Sequence, residues 1–325
     1  MSLLFRIVFF LLQAGAVFVP EEEYNEKVRS IQTLDEKNEG FDLNGWEYHH
    51  LIEPASGFVH RYYRHQSKEP DAPVMLFFHG MNLDGRTFLY LDELAEKWEL
   101  IAYDLPETTL RYTGHYDDFM DITNEFIDLL DREICMVCGV SFGGGIAVRL
   151  AASRKDLDIK HLILISTMPS SVTEKERNRN HSVAAWLRTI PDYKLYWLME
   201  TLTGLAKRNF EDSKEKRRDV AEVMRMKHMD FYRQISESIW RYSGGAYARQ
   251  VKCPTLILVG TDDQVVKPDA AREYLRFIPH ARFETIEDGT HAMTYQRGEE
   301  IAERIFGFCT ETHEKPLHPA HSKAP

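Results

Sequence analysis

The sequence predicts an α/β protein built on a doubly wound, mostly parallel sheet with an inserted helical module. Three observations predict it. From Val74 onward, short apolar runs alternate with amphipathic stretches, the pattern of a parallel sheet covered by helices on both faces. Ahead of them lie two aromatic-rich segments joined by the turn sequence Pro54-Ala-Ser-Gly57. One long interval, 168–250, carries helical patterns and many aromatics but no strand-like run.

In chain order, Trp46 to Glu53 and Gly57 to His65 flank the turn and read as a hairpin. The runs Val74 to Phe78, Leu100 to Tyr103, Ile134 to Val140, Leu162 to Ile165 and Thr255 to Val259 are nearly all apolar, as strands buried on both faces require, and Phe283 to Ile286 is a weaker last strand. Between them, helices are expected at Thr87 to Trp98, Asp117 to Leu130, Phe142 to Ala152, Pro268 to Phe277 and Glu299 to Phe308. In Asp117 to Leu130 the residues Phe119, Ile122, Phe126, Leu129 and Leu130 recur mostly at three- and four-residue steps, the spacing of one helical face. Strand, helix, strand in repetition is the order of a doubly wound fold. The core is therefore assigned to 41–167 and 251–309, and the helical insertion to 168–250, where Pro191 suits a helix start and Ser243-Gly-Gly245 the return to the sheet. The tail 310–325 is rich in Pro, His and Lys without an apolar period and is expected to be disordered, its His313, His318 and His321 solvated rather than metal-bound.

A chain of 325 residues can hold one large α/β domain with an insertion or two modest domains. Its 43% hydrophobic and 28% charged residues are those of a globular protein, not of a disordered, collagenous or disulfide-stapled one. The net charge of -11 repels polyanions, so nucleic acid is not expected as a partner. Cys135 and Cys138 have C-x-x-C spacing but fall on a strand, where residues three apart face opposite ways, so they read as small core residues and not as a redox or metal pair. Met1 to Val19 is largely apolar and ends at Pro20-Glu-Glu-Glu23. The run after Arg6 is about as long as a signal-peptide h-region and shorter than the roughly 20 residues a spanning helix needs, and Ala14-Gly-Ala16 has the form of a cleavage site. Residues 1–19 are thus expected to be a targeting or anchor segment, giving export or membrane association. The alternative is a helix packed on the domain of a cytoplasmic protein.

The chemistry is concentrated in three loops. Gly139-Val-Ser141-Phe-Gly143 lies between an apolar strand and a small-residue helix. On so sharp a strand-to-helix turn the serine hydroxyl is exposed at the carboxyl end of the sheet, and flanking glycines remove side chains that would clash. A serine hydroxyl needs a base within reach and a third group to hold that base. The loop after the Thr255 to Val259 strand offers Asp262 and Asp263, and the loop after the last strand offers His291, so the order is Ser, Asp, His. Of 14 histidines only His291 is singled out by position. Spacing alone leaves Asp262 and Asp263 open as the acid. Oxyanion donors are expected from the backbone N–H of Phe142, next after the serine, and of Met81, at the end of the first core strand beside His79 and Gly80.

The blocks Phe78-His-Gly80, Ala102-Tyr-Asp-Leu-Pro106, Gly139-Val-Ser-Phe-Gly-Gly144, Leu258-Val-Gly-Thr-Asp-Asp263 and Asp288-Gly-Thr-His291 resemble the successive blocks of the α/β-hydrolase family over about Val74 to Phe308. The resemblance favours Asp263 over Asp262 and implies that 168–250 is a helical cap. One stretch departs from it: where family members continue the Asp-Leu-Pro block with Gly-x-Gly-x-Ser, this chain reads Glu107-Thr-Thr-Leu-Arg-Tyr-Thr-Gly114.

These readings together give a serine hydrolase of the carboxylesterase or lipase-like kind. Ser141 is its nucleophile, His291 its base and Asp263 the orienting acid, and neither metal nor organic cofactor is needed. The aromatics of the cap point to a small-molecule ester with an apolar acyl or aromatic group. Carbon–carbon bond hydrolase, thioesterase, peptidase and acyltransferase share the fold and are the alternatives within the enzyme class. Outside it stands a non-catalytic ligand-binding protein.

Overall fold

The computed structural model describes residues 21–29, 36, 38, 42–81, 83–107, 115–170, 189–198 and 229–314. The expected targeting segment 1–19, the atypical loop 108–114, the stretches 171–188 and 199–228 of the expected cap, and 315–325 of the expected tail lie outside the described residues.

Eight strands form one sheet: β1 (Glu47–Ile52), β2 (Val59–His65), β3 (Val74–Phe78), β4 (Glu99–Asp104), β5 (Ile134–Val140), β6 (His161–Ile165), β7 (Thr255–Gly260) and β8 (Arg282–Ile286). They lie in the order β1-β2-β4-β3-β5-β6-β7-β8. Only β2 runs against its neighbours, β1 and β4; from β4 to β8 all pairs are parallel. The carboxyl ends of β5, β7 and β8 therefore open onto one edge, which is where the three chemistry-bearing loops emerge. Every residue of β3 to β7 is buried, as both faces are covered, whereas β1 is half-buried or exposed throughout and β8 is buried only at Ile286. That is why the central strands read as unbroken apolar runs and the last strand as a weak one.

The chain divides into two compact units. One comprises Met1–Asp42, Glu107–His115 and Val172–Arg241, the other Leu43–Pro106, Tyr116–Ser171 and Tyr242–Pro325. Described helices of the first unit are α1 (Glu21–Arg29), residues 192–198, and Met229–Arg241. Within it the Tyr24 and Tyr196 rings meet edge-on at 5.6 Å, and Arg233 donates to the Ile190 carbonyl at 2.9 Å and pairs with Asp192. The aromatics Tyr196, Phe231 and Tyr232 are buried.

The sheet unit carries α2 (Tyr116–Leu130), α3 (Phe142–Ser153) and a C-terminal helix, Gly298–Glu314. In α2 the buried face centres on Phe119, Thr123, Phe126 and Ile127, with Ile122, Leu129 and Leu130 only half-buried at its flank. Two expected helices are corrected. The stretch expected as a helix over Thr87 to Trp98 falls largely on a 3₁₀ segment, Gly85–Glu96, kinked at Tyr90 and Leu91. Asp84 caps it: its carboxylate takes the Arg86 N–H at 3.0 Å and the Arg86 guanidinium at 2.8 Å, both side chains fully buried. Pro268 to Phe277 likewise splits into a short α-helix, Pro268–Arg272, and a 3₁₀ turn, Glu273–Arg276. The C-terminal helix runs past Phe308 and through 310–314, which the sequence assigns to the disordered tail. Burial of Ile301, Ile305, Phe308 and Cys309 along one face holds it to the sheet unit.

Cys135 and Cys138 are buried free thiols. No helix among the described residues is long and apolar enough to cross a membrane.

Candidate active site

The turn from β5 into α3 sets Ser141 at φ 51°, ψ -114°, a region that L-residues rarely occupy and that costs on the order of 1–3 kcal/mol. The surrounding structure enforces it. Ser141 N–H is held by the Ile165 carbonyl at 3.0 Å, and Gly139 and Gly143 lie so close to backbone that neither has room for a Cβ: Gly139 abuts the Gly143 carbonyl, Gly143 the Phe78 carbonyl. The serine thus stands at the carboxyl edge with the first turn of α3 behind it.

The acid loop follows β7. Its Asp262 is exposed and Asp263 buried, so the structure separates the two carboxylates that spacing leaves open. Asp263 Oδ1 accepts the N–H groups of Val265 and Val266 at 2.9 and 2.8 Å, which aims Oδ2 at His291 Nδ1, 2.9 Å away. Burial alone would push this carboxyl up. The hydrogen bond and charge of His291, with the Val266 N–H, outweigh it and hold Asp263 below its ordinary value of 3.8. With the carboxylate ionised, His291 Nδ1–H donates to it. Nε2 is then left to accept the Ser141 hydroxyl, 3.1 Å away.

The histidine loop is braced from two sides. Gln296 Oε1 accepts the Thr290 N–H at 3.1 Å and its hydroxyl at 2.7 Å. Thr261 Oγ1 accepts the Asp288 N–H at 2.9 Å, and the Gly289 carbonyl accepts the Asp262 N–H at 3.0 Å, so the acid and histidine loops are stitched together.

Of the two expected oxyanion donors, Phe142 is the first residue of α3, and Met81 follows Gly80. A Cβ on Gly80 would stand 3.3 Å from Ser141 Cβ, so that peptide flanks the serine. His79 is fully buried; its Nε2 accepts the Leu105 N–H at 2.9 Å, which leaves Nδ1 to donate to the Gly80 carbonyl at 2.8 Å. The ring pins the loop. Among the described residues no group of three His, Cys, Asp or Glu is arranged to hold a metal ion.

Motif reading missed three supports: Gln296, Thr167 and the Val265–Val266 amides. Thr167 donates to the Ser141 carbonyl at 2.8 Å, and the Tyr116 hydroxyl donates to the Phe142 carbonyl. Burial raises the Tyr116 phenol well above its ordinary value, so it remains a donor. A hydroxyl hydrogen-bonded to an imidazole, itself held by a buried carboxylate, is the arrangement that lets serine surrender its proton as it attacks a carbonyl.

The family described as alpha/beta hydrolase fold matches residues 73–297. The chain is similar to a poly(3-hydroxyalkanoate) depolymerase of Ectopseudomonas oleovorans, 25% identical over 77% of this chain and 89% of that one. It is also similar to the AB hydrolase superfamily protein YisY of Bacillus subtilis (strain 168), 26% identical over 72% and 90%. Among solved structures, the enol-lactonase from Burkholderia xenovorans LB400 superposes with a TM-score of 0.66 at 19% identity, covering 80% of this chain and all of that one; at that identity the likeness speaks for the fold. The chain belongs to the alpha/beta hydrolase fold family and is a hydrolytic enzyme.

Proposed function

We propose that this enzyme cleaves carboxylic esters through an acyl-enzyme on Ser141. The observation that carries the reading is the hydrogen-bonded chain from Ser141 Oγ through His291 to buried Asp263, at 3.1 and 2.9 Å, mounted on a strained turn beside two candidate oxyanion peptides. Ser141 Oγ attacks the ester carbonyl as its proton passes to His291 Nε2. The oxygen, now negative, is held by the N–H groups of Phe142 and Met81. Collapse expels the alcohol, which takes the proton from His291. Water then attacks the acyl-serine with His291 again as base, releasing the acid and restoring Ser141. Asp263 keeps the imidazole in the Nδ1–H form throughout, and no step calls on a metal or organic cofactor.

One curated relative supports an ester in particular: poly(3-hydroxyalkanoate), the substrate in the depolymerase's name, presents an ester carbonyl. The substrate we propose is a small molecule with an apolar acyl or aromatic group, as the aromatic content of 168–250 suggests. The test is hydrolysis of p-nitrophenyl esters of increasing acyl length by the parent and by Ser141→Ala. Turnover by the parent with loss of roughly 10⁴-fold or more in the variant is expected; equal rates in the two would sink the reading.

A further inference from the structure

Two peptide groups flank the reacting serine in this chemistry, Gly80–Met81 and Ser141–Phe142, and each offers its N–H to the oxyanion. In a trans peptide the carbonyl oxygen and the N–H lie in one rigid plane and point in opposite directions. Whatever holds the carbonyl therefore aims the N–H. On the Gly80–Met81 peptide that holder is His79, 2.8 Å from the Gly80 oxygen. On the Ser141–Phe142 peptide it is a residue outside every motif block: Thr167, whose hydroxyl donates to the Ser141 oxygen, also at 2.8 Å.

We propose that Thr167 is a positioning residue for the oxyanion site, fixing and polarising the peptide that carries the Phe142 N–H; the role rests on the acyl-enzyme reading above. The Ser141 oxygen also accepts the Gly144 N–H at 3.1 Å, so Thr167 adds a side-chain donor to the backbone one. A carbonyl that accepts two hydrogen bonds makes the N–H of the same peptide a stronger donor. Placement of the hydroxyl is itself over-determined. Thr167 lies just beyond β6, 3% exposed, after Ser166 turns the chain at φ 48°. Its β-branched side chain has few rotamers and is wedged on Gly144. A Cβ on that glycine would fall 2.5 Å from Thr167 Oγ1 and 2.6 Å from its Cβ and Cγ2, so the glycine after Gly143 is what admits the threonine. The structure also supplies a comparator. The Tyr116 hydroxyl donates to the Phe142 carbonyl, one peptide further on, whose N–H belongs to Gly143 and not to an assigned donor.

The experiment compares Thr167→Val, Thr167→Ser and Tyr116→Phe with the parent and Ser141→Ala. It reads kcat and KM on a p-nitrophenyl ester, the affinity of an alkyl boronic acid that forms a tetrahedral adduct with serine, and the melting temperature. Thr167→Val is expected to lower kcat and boronate affinity in parallel by about tenfold with KM unchanged, less than the roughly 10²–10³ lost when a donor is deleted outright. Thr167→Ser regains most of that loss. Tyr116→Phe shifts the melting temperature to a similar extent but holds boronate affinity within about twofold. Parent-like kcat and boronate affinity in Thr167→Val overturn the role, and so does an equal loss of boronate affinity in Tyr116→Phe, which marks general loosening of the turn. Should the valine variant not fold, Thr167→Ala against Thr167→Ser carries the same contrast. If Ser141→Ala is as active as the parent, the acyl-enzyme reading falls and takes this role with it. If Ser141→Ala is inert while the Thr167 variants are silent, only the role of Thr167 falls.

Discussion

Among the described residues of the sheet unit, two chains of hydroxyl, imidazole and carboxylate differ in which group is sealed and which is presented. At the carboxyl edge, Ser141, His291 and Asp263 are linked at 3.1 and 2.9 Å. Between β2, β4 and α2, Tyr103, His60 and Glu125 are linked at 2.9 and 2.8 Å. Their burial is inverted. In the first, the carboxylate side chain is 0% exposed and the imidazole 29%; in the second, the imidazole is 0% exposed and the carboxylate 40%. Asp263 is fixed by two backbone N–H groups and stays ionised, and Ser141, the proposed nucleophile, stands on a strained turn beside the two candidate oxyanion peptides. His60 is pushed below its ordinary value of 6.5 because burial outweighs the pull of Glu125, and Tyr103 is stacked on Phe126 at 4.1 Å with no face open to a substrate. On the proposed reading, the same three groups make a relay where the hydroxyl is presented and the acid is sealed, and a structural strut where the order is reversed.

Substitutions can break this contrast, beginning with the loss of Ser141 tested above, for which the largest effect is expected. Asp263→Asn comes next: kcat on a p-nitrophenyl ester should fall by about 10⁴-fold, because an amide no longer holds the tautomer that accepts the serine proton. A variant within tenfold of the parent would mean that the carboxylate is a strut like Glu125. The same substitution sharpens the electrostatic side. The folded value of Asp263 lies below 3.8, so its ionised form contributes stability that is full above the unfolded value and lost as pH falls through the lowered folded one. Melting temperatures from pH 5 down to 2.5 should drop more steeply in the parent than in Asp263→Asn; parallel curves would remove Asp263 from the acid response.

Smaller effects test the other side. Tyr103→Phe leaves His60 Nδ1 buried without its partner at 2.9 Å, so denaturant titration should show a loss of about 1–3 kcal/mol with kcat unchanged. A drop in kcat with stability intact would give the inner chain a part in the reaction. Asp262→Asn should be the quietest: Asp262 is exposed and its neighbour carries the bond to His291, so activity should stay within about twofold of the parent. A loss as large as that of Asp263→Asn would exchange the two assignments.

By itself the sequence determined the αβ alternation, the parallel core and the loops from which Ser141, the Asp262–Asp263 pair and His291 emerge. These follow from local signals: strands buried on both faces must be continuously apolar, and a strand-to-helix turn too tight for side chains must be written in glycine. Tertiary structure decided what depends on neighbours distant along the chain. Nothing near Asp262 and Asp263 says which is sealed; the histidine loop, packed against Gly260, decides it. The stretch expected as a helix over Thr87 to Trp98 folds as a 3₁₀ segment kinked at Tyr90 and Leu91, with the buried pair Asp84 and Arg86 at its start. Packing of Phe308 and Cys309 accompanies helix as far as Glu314, through residues whose own composition is that of a tail. Thr167, Tyr116 and Gln296 belong to no motif, because a hydroxyl or amide that holds a backbone group is recognised by where it ends up, and that position is set by the packing of whole strands and helices.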